Sequence, residues 1–215
     1  SLLERYAVLV VSDHGHDPLL PRRGYVDLSS GLSGFRLSLG PRAALGPSAD
    51  AVAVPNGRAA LLYLREPALA GAAAAAALGR RGVDVAAWRE GGWFFARRDG
   101  REVSFRPGGA LRDPLGGRWE LRGDPGALDL RVFGDAILYG DYPDALERLR
   151  GCLQSPRSGD VVLSAAPGYS FGEVSGAFHA ASDHGSLHAS DSEVFALASG
   201  VRAPRRITEV APSVV

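Results

Sequence analysis

An unbroken apolar and β-branched run at Tyr6–Val11 (YAVLVV) ends directly in Ser12-Asp13-His14-Gly15. With no polar alternation, such a run suits a strand buried on both faces, as in a parallel sheet covered by helices. Asp13 and His14 are adjacent, so in a continuing strand they would point to opposite faces. To act together they must lie in a loop past the strand end, where open α/β sheets place their ligands. Gly15 gives that loop space and freedom of backbone angle.

A related unit occurs near the other end of the chain. Asp160–Ser164 (DVVLS) reads as a second buried strand. The preceding segment, Tyr142–Leu153, is expected to be a helix, with Pro143 in its first turn and Ala145, Leu146, Leu149 and Leu153 at helical spacing. Val194–Ala198 adds a third apolar run. Residues 1–16 and 142–215 therefore predict an α/β core, a mainly parallel sheet flanked by helices.

The middle differs in texture. Ala51–Val54 and Ala59–Leu64 flank Pro55-Asn56-Gly57 as a hairpin would. Pro67–Arg80 reads as an Ala-rich helix. Short β-like pieces follow at Val83–Trp88, Trp93–Arg97, Glu102–Phe105 and Arg118–Leu121, with a tight turn at Asp99-Gly100. Residues 17–141 are thus expected to form an inserted α+β module. Trp88, Trp93, Phe94, Phe95 and Trp119 would supply its core, or an interaction surface if the chain is a non-catalytic binding module.

Composition narrows the classes. Of 215 residues 46% are hydrophobic, enough for a sizeable core, and the 24 basic residues, all Arg, balance 24 acidic ones. That balance offers no broad basic footprint for nucleic acid. The pairs Arg22-Arg23, Arg80-Arg81 and Arg97-Arg98 read as dispersed, solvated surface. One cysteine, Cys152, excludes an internal disulfide and a cysteine-based metal site. The stretch Ala68–Leu78 is too short to span a bilayer, and Glu4 and Arg5 break any signal-peptide pattern. A soluble protein is expected, cytoplasmic or exported.

The histidines are distributed unevenly. The five are His14, His16, His179, His184 and His188, with none between His16 and His179. Ser-Asp-His-Gly occurs twice, at 12–15 and 182–185. Imidazole and carboxylate are the usual nitrogen and oxygen ligands of zinc and related divalent ions. A single Asp-His-Gly is as readily a turn; two copies, one directly after a buried strand, point to metal. His16, His179 and His188 read as neighbours of the ligands or as surface residues.

These residues resemble a known family. VLVVSDHGH (8–16) is similar to the strand and metal-ligand loop of the alkaline phosphatase superfamily, in its type I phosphodiesterase/nucleotide pyrophosphatase branch. GDVVLSAAPGYSF (159–171) and SDHGSLHASDSEVFALASG (182–200) resemble that branch's later metal-binding loop and following strand, and RRITEVAPSVV (205–215) the start of its last helix. The resemblance implies an alkaline-phosphatase-like core and two divalent cations, usually zinc, for hydrolysis of a small-molecule phosphate ester. It implies Asp13 and His14 as ligands of one cation and His184 as a ligand of the other. Asp183 stands where the family often has a small residue and is not assigned. Tyr169 and Phe171 would line the substrate pocket, with Gly168 allowing the chain to bend there. Phosphomutases and phosphonate hydrolases share the Asp-His-Gly loop and remain alternatives.

The family places its nucleophile and further ligands upstream of the Asp-His pair, where this chain has only Ser1–Val11. Ser12 is too close to the ligand pair to replace the nucleophile. The catalytic nucleophile is therefore expected outside the chain. The chain is read as a fragment of a longer hydrolase that alone binds metal weakly and turns over no substrate.

Overall fold

The computed structural model describes residues 5–21, 24–40, 42–173 and 181–213. His179 and the pair Arg22-Arg23 lie outside them. The chain is α/β: a large mixed sheet flanked by few helices.

In chain order, β1 is Val8–Val11, β2 Asp17–Pro18, β3 Leu37–Ser38, β4 Ala51–Gly57 and β5 Ala59–Leu64. Helix α1, Ala70–Leu78, follows a single 3-10 turn at Pro67–Leu69. Then come β6 (Val83–Glu90), β7 (Trp93–Arg98), β8 (Arg101–Arg112), β9 (Arg118–Gly123), β10 (Leu130–Phe133) and β11 (Ala136–Tyr139). Helix α2 is Ala145–Gln154, and β12 is Val161–Ala165, β13 Gly172–Glu173 and β14 Ser182–Asp183. The short helix α3, Ala189–Ser192, and β15, Ala196–Ser199, complete the elements that bear on the site.

The main sheet runs β10-β11-β8-β7-β6-β12-β5-β4-β13, with β3 on β4 and β9 on β8. The predicted hairpin is present, pairing Ala51 with Leu64 through Asn56 with Ala59, but Pro55-Asn56-Gly57 belong to β4 and the turn falls at Gly57-Arg58. From β5 the chain crosses through α1 to β6, but the two strands are not neighbours. Strand β12 fills the gap between them, antiparallel to both, which makes β5 and β6 parallel to each other in a split β-α-β unit.

This topology corrects the expected mainly parallel sheet. Among the described residues, parallel pairing is limited to β3 on β4, one residue pair joining β11 to β8 and an isolated bridge between Tyr25 and Ser170. The apolar run of β12 does mark a strand covered on both faces, but such a run carries no information about the direction of its neighbours. Strand β1 departs further. It pairs antiparallel with β15 in a separate two-stranded ribbon, and Val10 is 48% exposed. Between the expected insert (17–141) and the expected core (1–16 and 142–215) the sheet is continuous, because β12 is hydrogen-bonded on both sides to strands of the segment 17–141.

Each face of the sheet carries one helix. Alternation along β6 puts Ala86 and Trp88 on the α1 side and Val85 and Ala87 on the α2 side. Helix α1 meets the sheet through Ala70, Ala73, Ala74 and Ala77, all buried, whose small side chains let the backbones approach closely. Helix α2 buries Leu146, Leu149 and Leu153, each contributing roughly 1.5–3 kcal/mol of transfer free energy. The aromatic residues of the middle segment divide between these cores: Trp88 joins the first, Phe94 and Trp119 the second. Trp93 is half-buried, with the guanidiniums of Arg106 and Arg122 over its ring. No helix among the described residues is long and apolar enough to cross a membrane.

Candidate metal centre

His14 and His16 lie in the loop between β1 and β2, and His184 directly follows β14. Strands β2 and β14 pair antiparallel, Asp17 opposite Asp183 and Pro18 opposite Ser182. That short ladder joins the residue after His16 to the residue before His184. Gly15 N–H also donates to the Asp191 carbonyl at 2.9 Å, tying the first loop to α3.

The three imidazoles converge. His14, His16 and His184 each offer a ring nitrogen, all within 4.8 Å of one another. The rings of His14 and His184 stack with centres 3.6 Å apart and planes 7° from parallel. His16 is tilted against both, at 5.4 Å from His14 and 5.1 Å from His184. This cluster can hold a metal ion. His14 Nδ1 lies 2.9 Å from the Gly15 carbonyl; donation there fixes the tautomer and leaves Nε2 with its lone pair free, the usual arrangement for a ligating histidine.

Asp13 is placed differently from the three histidines. Its Oδ2 is 3.5 Å from His14 Nε2, and its Oδ1 accepts from the His14 N–H at 3.1 Å. The side chain is nevertheless 80% exposed, and the carboxylate is not among the mutually close ligand atoms. His16, expected beside the ligands, stands among them. His188 instead caps α3, with Nδ1 facing the Ser190 hydroxyl at 3.2 Å.

Gly15 serves close approach rather than an unusual backbone angle. A Cβ there would lie 2.0 Å from the Ser190 carbonyl oxygen, and its φ is not positive. Gly168 does adopt a positive φ of 80°, and its N–H donates to Asp17 Oδ2 at 2.9 Å.

A cleft of about 1190 Å³ opens beside His14, bounded by Asp13, Tyr139, Arg148, Phe195 and Arg206 among others. Tyr169 and Phe171, expected to line a substrate pocket, do not line this cleft. Phe171 is 1% exposed in the core, and Tyr169 packs at the edge of the same core, its hydroxyl accepting from Arg81 Nε. The cleft's guanidiniums are themselves anchored. Arg206 pairs with both oxygens of Asp144 at 2.6 and 2.8 Å, which raises its already high pKa. Arg148 donates to the carbonyls of Pro143, Leu187 and Ser186, and burial lowers its pKa.

Behind the histidines lies a buried polar network that motif reading missed. Arg58, at the turn between β4 and β5, is fully buried and pairs with Asp17 at 3.0 Å and Asp191 at 2.5 Å. Its signal in the sequence is that it is the single charged residue between Asp50 and Arg65; a charge inside an apolar hairpin must find partners. Asp183, 2% exposed, accepts from the Ser170 hydroxyl at 2.7 Å and from the His184 N–H at 2.8 Å. Its carboxylate is thus turned into the fold by its own hydrogen bonds.

No protein-family model matches the chain, and no curated protein or solved structure is similar enough to assign a family or a fold by likeness.

Proposed function

We propose that the chain carries part of a two-metal centre for hydrolysis of a phosphoric ester, of the phosphodiesterase/nucleotide pyrophosphatase kind within the alkaline phosphatase superfamily. The observation that carries this reading is the stacking of His14 on His184, one from each copy of Ser-Asp-His-Gly. Two near-parallel rings with centres 3.6 Å apart keep their in-plane lone pairs in separate, closely spaced planes. That spacing suits a pair of ions about 3.5–4 Å apart, one for each ring.

The donor set fits such ions. Imidazole nitrogens with one carboxylate suit zinc, and the absence of thiolate from the cluster is equally compatible with manganese. Bound divalent cations would supply charge for the attacking and leaving oxygens of an in-line displacement. His14, with Asp13 beside it, would hold one of them and His184 the other, while His16 reaches both rings. Gly15 and the β2–β14 ladder bring the two histidine loops together. The cleft beside His14 would receive the ester; its wall carries both signs, Arg148 and Arg206 standing beside Asp13, Asp144 and Glu147.

Calorimetric titration of zinc into the chain tests the reading. Because the chain carries only part of the ligand set, near two weakly bound ions per chain are expected at high zinc concentration, with binding lost in His14→Ala and His184→Ala. In the zinc-loaded chain, inorganic phosphate should show a broadened ³¹P resonance that His184→Ala restores. No zinc binding, or binding indifferent to both substitutions, would sink the proposal. One ion per chain would instead assign a mononuclear His14–His16–His184 site.

A further inference from the structure

We infer that Arg58 is the positioning residue of the histidine cluster, holding the loop of His14 and His16 against the segment of His184; its role toward a metal rests on the metal-centre reading above. The Arg58 guanidinium is fully buried and makes a contact on every side. Its Nη1 meets Asp17 Oδ2 at 3.0 Å and Asp191 Oδ1 at 2.5 Å. Nε donates to the Tyr169 carbonyl at 3.0 Å and Nη2 to the Ala166 carbonyl at 3.2 Å. The Arg58 backbone N–H donates to the His184 carbonyl at 2.7 Å.

The partners give this cation its meaning. Asp17 follows His16 directly. Asp191 accepts from the Ser186 N–H through its second oxygen, at 2.7 Å, and its own carbonyl accepts from Gly15 N–H. One residue therefore touches His184 itself, Asp191 seven residues after it and the residue beside His16. A planar guanidinium can serve these acceptors at once, whereas a lysine ammonium, a single point with a flexible stem, cannot span them. Burying one cation between two carboxylates is a poor route to stability compared with apolar packing. Its location between the two histidine loops gives it a geometric role.

Arg58→Lys and Asp17→Asn separate that role from stability. Asp17→Asn removes the charge facing Arg58 but leaves the Arg58–Asp191 pair, and an amide oxygen in the place of Oδ2 can still accept from the Gly168 N–H, so it can fold where Arg58→Lys does not. In the metal-free wild type, the stacked rings of His14 and His184 should shift each other's Cδ2–H and Cε1–H proton resonances upfield. In folded variants those shifts should collapse towards ordinary histidine values, and zinc affinity should fall about 10- to 100-fold. Cobalt substituted for zinc should show altered visible absorption bands.

Folded Asp17→Asn and Arg58→Lys with wild-type ring shifts and wild-type zinc affinity would overturn the inference. An unfolded Asp17→Asn would also overturn it, making Arg58 an element of stability alone. If the wild type binds no zinc while the variants lose the ring shifts, the positioning role stands and the metal-centre reading falls.

Discussion

His14 and His184 stack face to face, ring centres 3.6 Å apart, although 169 residues lie between them in the chain. The third ring, His16, is close to both, whereas the Asp13 carboxylate reaches only the edge of the cluster. His16→Ala should therefore weaken zinc binding more than Asp13→Asn does, by at least about 10-fold, a loss typical even of groups that only support a ligand. Competition titration against a chromogenic chelator gives the ranking. The reverse order would make Asp13 the ligand and His16 a bystander.

Gly15 lies between two of the histidines with its α-carbon against the Ser190 carbonyl. A Cβ would stand 2.0 Å from that backbone oxygen, so relief requires moving one loop. Gly15→Ala should cost about 1–3 kcal/mol, as overpacking does, and should lower zinc affinity as well. Gly151, within α2 and with nothing inside 4 Å of an added Cβ, is the control. Gly151→Ala should stabilise by about 0.5–1 kcal/mol. Urea unfolding of both variants reads the two opposite signs, and a neutral Gly15→Ala would remove the close-approach argument.

Much of this arrangement was legible in the sequence. The duplicated Ser-Asp-His-Gly and the uneven histidines pointed to His14 and His184 coming together, and the hairpin signal at Pro55-Asn56-Gly57 placed β4 and β5. What stayed hidden were relationships that no local pattern encodes. The run VVLSA does not tell that β12 enters between β5 and β6 with reversed direction. YAVLVV reads as fully buried, yet among the described residues β1 pairs only with β15 and leaves Val10 exposed. Arg58 was visible as a lone charge, but its partners Asp17 and Asp191 come from both ends of the chain.

Asp113 provides a pH-dependent test away from the histidines. Burial opposes its charge, but donation from Trp119 Nε1 (2.7 Å), the N–H groups of Gly117 and Leu115 (2.8 Å each) and the Tyr139 hydroxyl (3.1 Å) prevails. Its carboxyl is held below the usual range. A depressed folded-state pKa contributes stability that is fully present above the unfolded value, near 3.9, and lost as pH falls through the folded value. Asp113→Asn should thus cost roughly 2–4 kcal/mol at pH 7. The gap to wild type should narrow below about pH 4. An equal gap at pH 7 and pH 3 in denaturant titrations would contradict this linkage.

Strand β12 makes the final prediction. It hydrogen-bonds to β5 on one side and β6 on the other, and contributes Val161 and Leu163, both fully buried, to the core under α1. A chain restricted to residues 17–141 would lack it, leaving two apolar strand edges open at the middle of the sheet with no covering element. Such a piece should be unfolded or aggregated, with a collapsed amide proton spectrum. In the full chain, Leu163→Ala should cost about 2–5 kcal/mol, because its side chain is fully buried in the core under α1. A cooperative, well-dispersed fold from residues 17–141 would show that they form an independent module after all, with β12 an addition to it.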